Sequence, residues 1–168
     1  METVKTTGEL LQRYASGERD FPGIDLEGRV RKDISLEGTD LSGINLAGAN
    51  LAECPLENIN FRGANLEEIW FQSSNIRGVN FEGANLRNAN LTHSLADGAN
   101  FTNAILTGAD LRCASMENVN LTRANLKDAV IGGSYTGEDI DFEESAPYLR
   151  DAIFFDTIMP DGSIQTNS

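Results

Sequence analysis

Large apolar residues recur at every fifth position through most of the chain. From Leu36 they fall at Leu41, Leu46, Leu51, Leu56, Phe61, Leu66, Phe71, Ile76, Phe81, Leu86 and Leu91. They continue at Phe101, Leu106, Leu111, Met116, Leu121, Leu126 and Ile131, with Ala96 the one small residue in the series. Two places before each centre stands Ala, Ile, Val, Cys, Ser or Thr in most repeats, and Asn is frequent immediately before it. The phase reaches back to Leu26 and Phe21, with a break at Arg31. A period of five suits neither a helix of 3.6 nor a strand of two. Inward residues spaced two and then three apart describe a short extended piece followed by a corner, because simple alternation would turn the next apolar residue outward. Gly38, Gly43, Gly48, Gly63, Gly78, Gly83, Gly98 and Gly108 stand two places after a centre, where a turn can require positive φ. The chain therefore bends every five residues and winds as a solenoid.

Ala49-Asn50-Leu51, Ala64-Asn65-Leu66, Ala84-Asn85-Leu86, Ala109-Asp110-Leu111 and Ala124-Asn125-Leu126 carry an A-[DN]-L-x-x motif. In this the chain resembles the pentapeptide-repeat family over about two thirds of its length. Its N-terminal block and TIMPDG ending look like small cyanobacterial members. The resemblance implies an all-β solenoid, a right-handed quadrilateral parallel β-helix with four repeats per coil. The positions of Phe21, Phe61, Phe81 and Phe101, all separated by multiples of twenty, independently favour four and predict a ring column inside one face. Phe71 falls on another face, between Leu51 and Leu91, and is expected to stay out of that stack. Five coils at about 4.8 Å give a rod on the order of 24 Å high. Leu and Phe fill its interior and leave no room for a ligand. Asn60, Asn80, Asn100 and Asn120 are placed to form a side-chain ladder.

Solenoid ends need covers. The N-terminal segment 1–20 reads as a helical cap over about 7–16, opened by a Thr6–Glu9 capping box and carrying Leu10, Leu11 and Tyr14 on one face. The β-helix is placed at 21–133, regular from 34. Residues 134–160 read as an acidic insertion followed by an irregular closing coil on Leu149, Phe154 and Met159, and 161–168 as a flexible tail.

The net charge of −13 is uneven. Residues 1–32 are neutral, 33–133 hold twelve acids against six bases, and 134–168 hold eight acids against one base. So acidic a chain is not expected to bind nucleic acid, whose phosphates call for Lys and Arg. It has no run of about 20 apolar residues, so no membrane span is expected. The opening METVKTTGELLQRY lacks the apolar core of a signal peptide, and the two cysteines fall in different phases, Cys54 inward and Cys113 outward. Reduced thiols and a cytoplasmic location are the expectation.

Candidate chemistry is sparse. His93 is the single histidine and points outward; Cys113 is outward beside Arg112; Cys54 is a small core residue. No catalytic residue, cofactor-binding residue or metal ligand is assigned, and the chain is read as non-enzymatic. Asp139, Asp141, Glu143 and Glu144 lack the Gly and distal Glu of a calcium loop and read as a solvated acidic stretch. Trp70, Leu95 and Ile105 stand where Asn would be expected, on three different faces. Trp70 follows Glu67 and Glu68, and these three are the candidate partner-binding residues. For Leu95-Ala96 either a bulge turns Leu95 inward or neighbouring Ile76 and Met116 fill the gap beside Ala96. The expected role is a protein-interaction or scaffolding module, monomeric, for a protein partner the sequence does not specify. The alternative that the resemblance suggests is a duplex-DNA mimic that binds DNA gyrase. A 24 Å rod would then need roughly 14 negative charges, whereas residues 33–133 supply a net −6.

Overall fold

Backbone hydrogen bonding repeats every five residues. In the computed structural model, which describes residues 4–27, 35–132 and 149–166, the repeat from Phe61 to Asn65 shows the scheme. Phe61 N–H donates to Asn80 O at 2.8 Å and Gly63 N–H to Glu82 O at 2.9 Å, both in the following coil. Asn65 N–H donates to Ile44 O of the preceding coil at 2.9 Å, and Ala64 N–H closes the turn on Phe61 O at 3.0 Å. The fifth donor, Arg62 N–H, is taken by the Asn60 side-chain oxygen at 3.1 Å. Every N–H of the repeat is thereby satisfied, which is the condition for burying this much backbone in a narrow rod. The Asn before each centre supplies the acceptor that the main chain lacks at the corner.

Each corner uses positive φ at its third residue, the signature of a type II turn. From 38 to 128, every position two after a centre has φ between 54° and 70°. Glycine holds this conformation at Gly38, Gly63 and Gly98, but Glu53, Glu68, Ser73, His93, Cys113 and Arg123 hold it too. The winding of the coil thus overrides local preference at non-glycine corners, which Cβ sterics otherwise disfavour by about 1–2 kcal/mol.

Parallel pairing sets the coil at twenty residues: Asp40 with Asn60, Asn60 with Asn80, Asn80 with Asn100 and Asn100 with Asn120. Four repeats per coil give four faces. The outward column of face 1 is Asp40, Asn60, Asn80, Asn100 and Asn120. That of face 2 is Asn45, Asn65, Asn85, Ile105 and Asn125; of face 3, Asn50, Trp70, Asn90, Asp110 and Val130; of face 4, Pro55, Asn75, Leu95 and Ser115. Among the described residues, parallel pairing is long enough to form a strand pair only on face 3, β1 (Asp110–Arg112) with β2 (Val130–Gly132). All centres from Leu36 to Leu126 are buried, and so are the residues two before the centres from Ile44 to Ala124, whereas Thr39 is half-buried.

The register changes at the start of the rod. Asp20 pairs with Asn45 and Asp25 with Asn50, offsets of 25 rather than 20. Leu26 and Leu36 consequently occupy adjacent faces although they are ten residues apart. Phe21 therefore lies over Leu46, and the expected four-ring column loses its first member. The other three do stack: Phe61–Phe81 centroids are 5.9 Å apart at 17°, and Phe81–Phe101 are 4.9 Å apart at 12°. The expectation for Phe71 fails. Its ring reaches across the narrow interior to Phe61 at 6.1 Å and Phe81 at 5.9 Å, both tilted. Arg31, at the break in phase, lies outside the described residues, as do the acids at 139–144.

Helix α1 (Thr7–Ala15) precedes the first coil. Thr6 Oγ1 accepts Glu9 N–H at 3.1 Å, while the Glu9 carboxylate takes Lys5 N–H at 3.2 Å, one residue earlier than a full capping box would place it. Leu10 is fully buried, Leu11 and Tyr14 pack on the core, and Tyr14 Oη donates to Ser42 O at 2.8 Å. At the far end Leu149, Phe154 and Met159 lie under Met116, Leu121 and Leu126. Residues 161–166 turn back: β3 (Thr157–Ile158) pairs antiparallel with β4 (Ile164–Gln165) around Gly162, whose φ is 82°.

Candidate functional site

The outward columns divide into two kinds. On face 1, Asn60 Nδ2 donates to Asp40 at 2.9 Å, Asn80 to Asn60 at 3.2 Å and Asn100 to Asn80 at 3.1 Å. On face 2, Asn45 donates to Asp20, Asn65 to Asn45 at 2.9 Å and Asn85 to Asn65 at 3.1 Å. Each of these carboxamides donates toward the N-terminal coil and accepts from its own corner, and Asn45, Asn60, Asn65 and Asn80 also accept from the next coil. Asp accepts but cannot donate, so it fits at the first rung, where Asp20 and Asp40 stand. Faces 3 and 4 build no such ladder. Trp70 interrupts face 3 between Asn50 and Asn90, and Pro55 and Leu95 interrupt face 4.

Trp70 is 51% exposed, the only tryptophan of the chain. Glu67 and Glu68 lie at the corner joining faces 2 and 3 in the same coil. Glu67 accepts from Asn85 Nδ2 at 3.2 Å, and Glu68 is exposed. The winding adds carboxylates that are remote in sequence. Glu53 stands one coil toward the N-terminus, at the corner joining faces 3 and 4. The offset of 25 brings Asp25 over Asn50 and Glu27 over Ala52, and Glu27 accepts from Asn50 Nδ2 at 3.0 Å. All three are exposed. Sequence reasoning paired Trp70 with Glu67 and Glu68 alone; for Asp25 and Glu27 the missing signal was the register of the first coil, which no five-residue count reveals, whereas Glu53 follows from the twenty-residue coil.

Elsewhere several corners are neutralised, although Glu37, Glu57 and Asp128 also stand outside any ion pair among the described residues. Arg62 pairs with Glu82 at 3.4 Å, Arg77 with Asp97 at 3.0 Å, Arg123 with Asp156 at 3.9 Å, and Arg150 with Glu117. Arg112 forks onto Asp110, with Nε 2.9 Å from Oδ1. Burial alone would raise the Asp97 carboxyl, but donors from Ser115, Glu117 N–H and Arg77 outweigh it and hold it below the ordinary carboxylate value. Asp110 is likewise depressed, because hydrogen bonds from Arg112 exceed the effect of burial.

The other sequence candidates disperse. Leu95 is 37% exposed and Ala96 fully buried, with Leu95 N–H on Ser74 O and Ala96 N–H on Ser115 O, so the register runs through without a bulge. Ile76 and Met116 flank Ala96 in its column. Behind Leu95 the buried Ser94 hydroxyl has no hydrogen-bond partner, whereas Ser74, one coil before it, donates to Leu51 O at 2.7 Å. His93 and Cys113 occupy one corner column in successive coils, His93 exposed and Cys113 half-buried. Cys54 is buried, its thiol directed at Leu26 O at 3.3 Å. Among the described residues no three or more His, Cys, Asp or Glu side chains are grouped to hold a metal ion, and no helix is long and apolar enough to cross a membrane.

Comparison with known proteins agrees with the repeat. Residues 50–126 match the family described as Pentapeptide repeat region, so the resemblance read from the A-[DN]-L motifs holds over that stretch. The repeat implies the right-handed quadrilateral β-helix, and the twenty-residue register gives its four sides. Solved structures that align with it include HetL, a pentapeptide repeat protein involved in heterocyst differentiation regulation from the cyanobacterium Nostoc sp. strain PCC 7120. It is 23% identical over 96% of this chain and 100% of that one, with a TM-score of 0.34. Rfr23 from the cyanobacterium Cyanothece 51142 is 23% identical over 74% and 93%, with a TM-score of 0.38. QnrB1, a plasmid-mediated fluoroquinolone resistance protein, is 15% identical over 80% and 74%, with a TM-score of 0.35. No curated protein sequence matches the chain.

Proposed function

We propose that this protein is a non-enzymatic protein-interaction module that presents face 3 to a partner, with Trp70, Glu67 and Glu68 in the contact. The observation that carries this reading is the half-exposed Trp70 in the column where the repeat otherwise places Asn. An exposed tryptophan offers a large rigid contact area, and such residues dominate interface energetics. Repeat rods commonly act by binding along one face. In this reading α1 closes the N-terminal end of the solenoid, the protein works as a monomer, and its compartment is the cytoplasm. Affinity capture from the native cytosol with the intact chain and with Trp70→Asn tests it. A partner retained by the first and lost by the second supports the reading, and equal recovery by both contradicts it.

DNA mimicry is the less favoured alternative. A mimic needs carboxylates spread along its edges, and here Arg62, Arg77, Arg112, Arg123 and Arg150 pair with them on several corners. A gyrase supercoiling assay checks it; inhibition at micromolar protein would reverse the ranking.

A further inference from the structure

We propose that the N-terminal half of face 3 recognises an arginine-rich basic segment, with a guanidinium seated on the indole of Trp70. The inference rests on the interaction reading above and names the chemistry of its partner. Two independent observations meet at this place.

The first is an unfilled aromatic face. At the N-terminal end the chain covers two rings with its own arginines: the Arg13 guanidinium lies 5.4 Å from the Phe21 centroid, and that of Arg19 lies 3.8 Å from the Tyr14 centroid. Among the described residues no cation lies over Trp70, although tryptophan is the best aromatic acceptor for one. Arg87, one coil below Glu67, donates to Asn85 Oδ1 at 3.1 Å.

The second is charge. Asp25, Glu27, Glu53, Glu67 and Glu68 all stand on face 3 or its two corners, within two coils of Trp70. Among the described residues none of the five is in an ion pair, whereas the carboxylates of Glu82, Asp97, Asp110 and Glu117 each have an arginine. The coil spacing of about 4.8 Å is shorter than the roughly 6.6 Å between same-face side chains of an extended peptide, a difference that long arginine side chains can take up. Arginine suits the site better than lysine, because a planar guanidinium both stacks on an indole and forks onto a carboxylate.

Trp70 is the sole tryptophan, so its own fluorescence reports the site. Octa-arginine titrated into the full chain at near-physiological salt should change the emission saturably, and octa-lysine should bind at least about threefold more weakly. Calorimetry on Trp70→Asn, the residue the repeat itself uses, should show binding weakened about tenfold or more. Glu68→Lys and Glu37→Lys change net charge equally, but Glu37 lies on the corner of faces 4 and 1. The first should weaken binding at least about fivefold and the second less than about twofold. Equal losses from both reversals, or octa-arginine binding that survives Trp70→Asn, would mean attraction to an acidic protein in general and overturns the proposal. A partner captured through Trp70 by a chain that ignores octa-arginine would also overturn it, while leaving the broader interaction reading in place.

Discussion

On face 1 the outward column is Asp40, Asn60, Asn80 and Asn100; on face 3, directly opposite, it is Asn50, Trp70, Asn90 and Asp110. The backbone of the two faces is the same. The side chains of face 1 are hydrogen-bonded to one another from rung to rung, and those of face 3 are not. A face whose polar groups are already satisfied by its neighbours has little to offer another molecule. A face whose ladder is interrupted leaves donors, carboxylates and one large ring facing water. The difference separates two uses of one repeat, internal cohesion and external contact.

The comparison assumes a common interior, and the most severe test acts there. Leu86 is fully buried on face 2. Leu86→Arg places a charge where neither water nor a counterion can follow. Loss of the cooperative thermal transition by circular dichroism is expected; a transition near that of the native chain would mean the inward phase is misassigned.

The rings sharpen the contrast between the two faces. Phe81, a face 1 centre, contacts Phe61, Phe71 and Phe101, whereas Phe71, a face 3 centre, contacts two rings and Phe101 contacts one. At about 0.5–1.5 kcal/mol per ring pair beyond burial, Phe81→Leu should cost most, Phe71→Leu less and Phe101→Leu least. Urea midpoints give the order, and equal losses at all three would remove the ring contacts from the account.

The ladder can be cut on one face and left whole on the other. Asn80→Asp deletes the donor to Asn60 and sets a carboxylate against its oxygen, at a cost of about 1–2 kcal/mol. Asn90→Asp on face 3 keeps the acceptor that Thr92 uses and loses no rung, so it should change stability by less than about 0.5 kcal/mol. Similar costs at 80 and 90 would erase the distinction between the faces.

Two smaller effects follow. Ser94→Ala removes a buried hydroxyl without a partner and should stabilise the chain by about 1 kcal/mol, seen as a higher urea midpoint. Acid should weaken the edge between faces 4 and 1. Asp97 sits below its ordinary value in the folded state, so its contribution is complete above about pH 4 and lost as pH falls through the folded value. Asp97→Asn should flatten the fall of the urea midpoint in that acid range; an unchanged slope would place the acid sensitivity elsewhere.

Most of the interior was legible in the sequence, because a five-residue period fixes which side chains point inward wherever the period is unbroken. Leu36 through Leu126 follow from that alone, while four repeats per coil came from the family resemblance, with the Phe spacing as modest independent support. Phe21 was misplaced for a physical reason: a count cannot see how many residues the chain uses between Leu26 and Leu36, and that number sets the register of everything before it. Asp25 and Glu27 beside Trp70 were missed for the same reason, since they reach face 3 only through the offset of 25, whereas the twenty-residue coil already placed Glu53 there. Phe71 was misjudged because faces are distinct on the outside of the coil, while inside a ring is long enough to cross between them.

The central claim is that Trp70 is kept on face 3 for contact and not for packing. Measuring stability and octa-arginine affinity together on Trp70→Asn tests it most directly. Loss of the half-buried indole is partly offset by an Asn that can bond to Asn50 and Asn90, so the unfolding free energy should stay within about 1 kcal/mol of the native value while affinity falls about tenfold or more. A stability loss above about 3 kcal/mol with affinity unchanged would contradict the account and make Trp70 a cover for the coils beneath it.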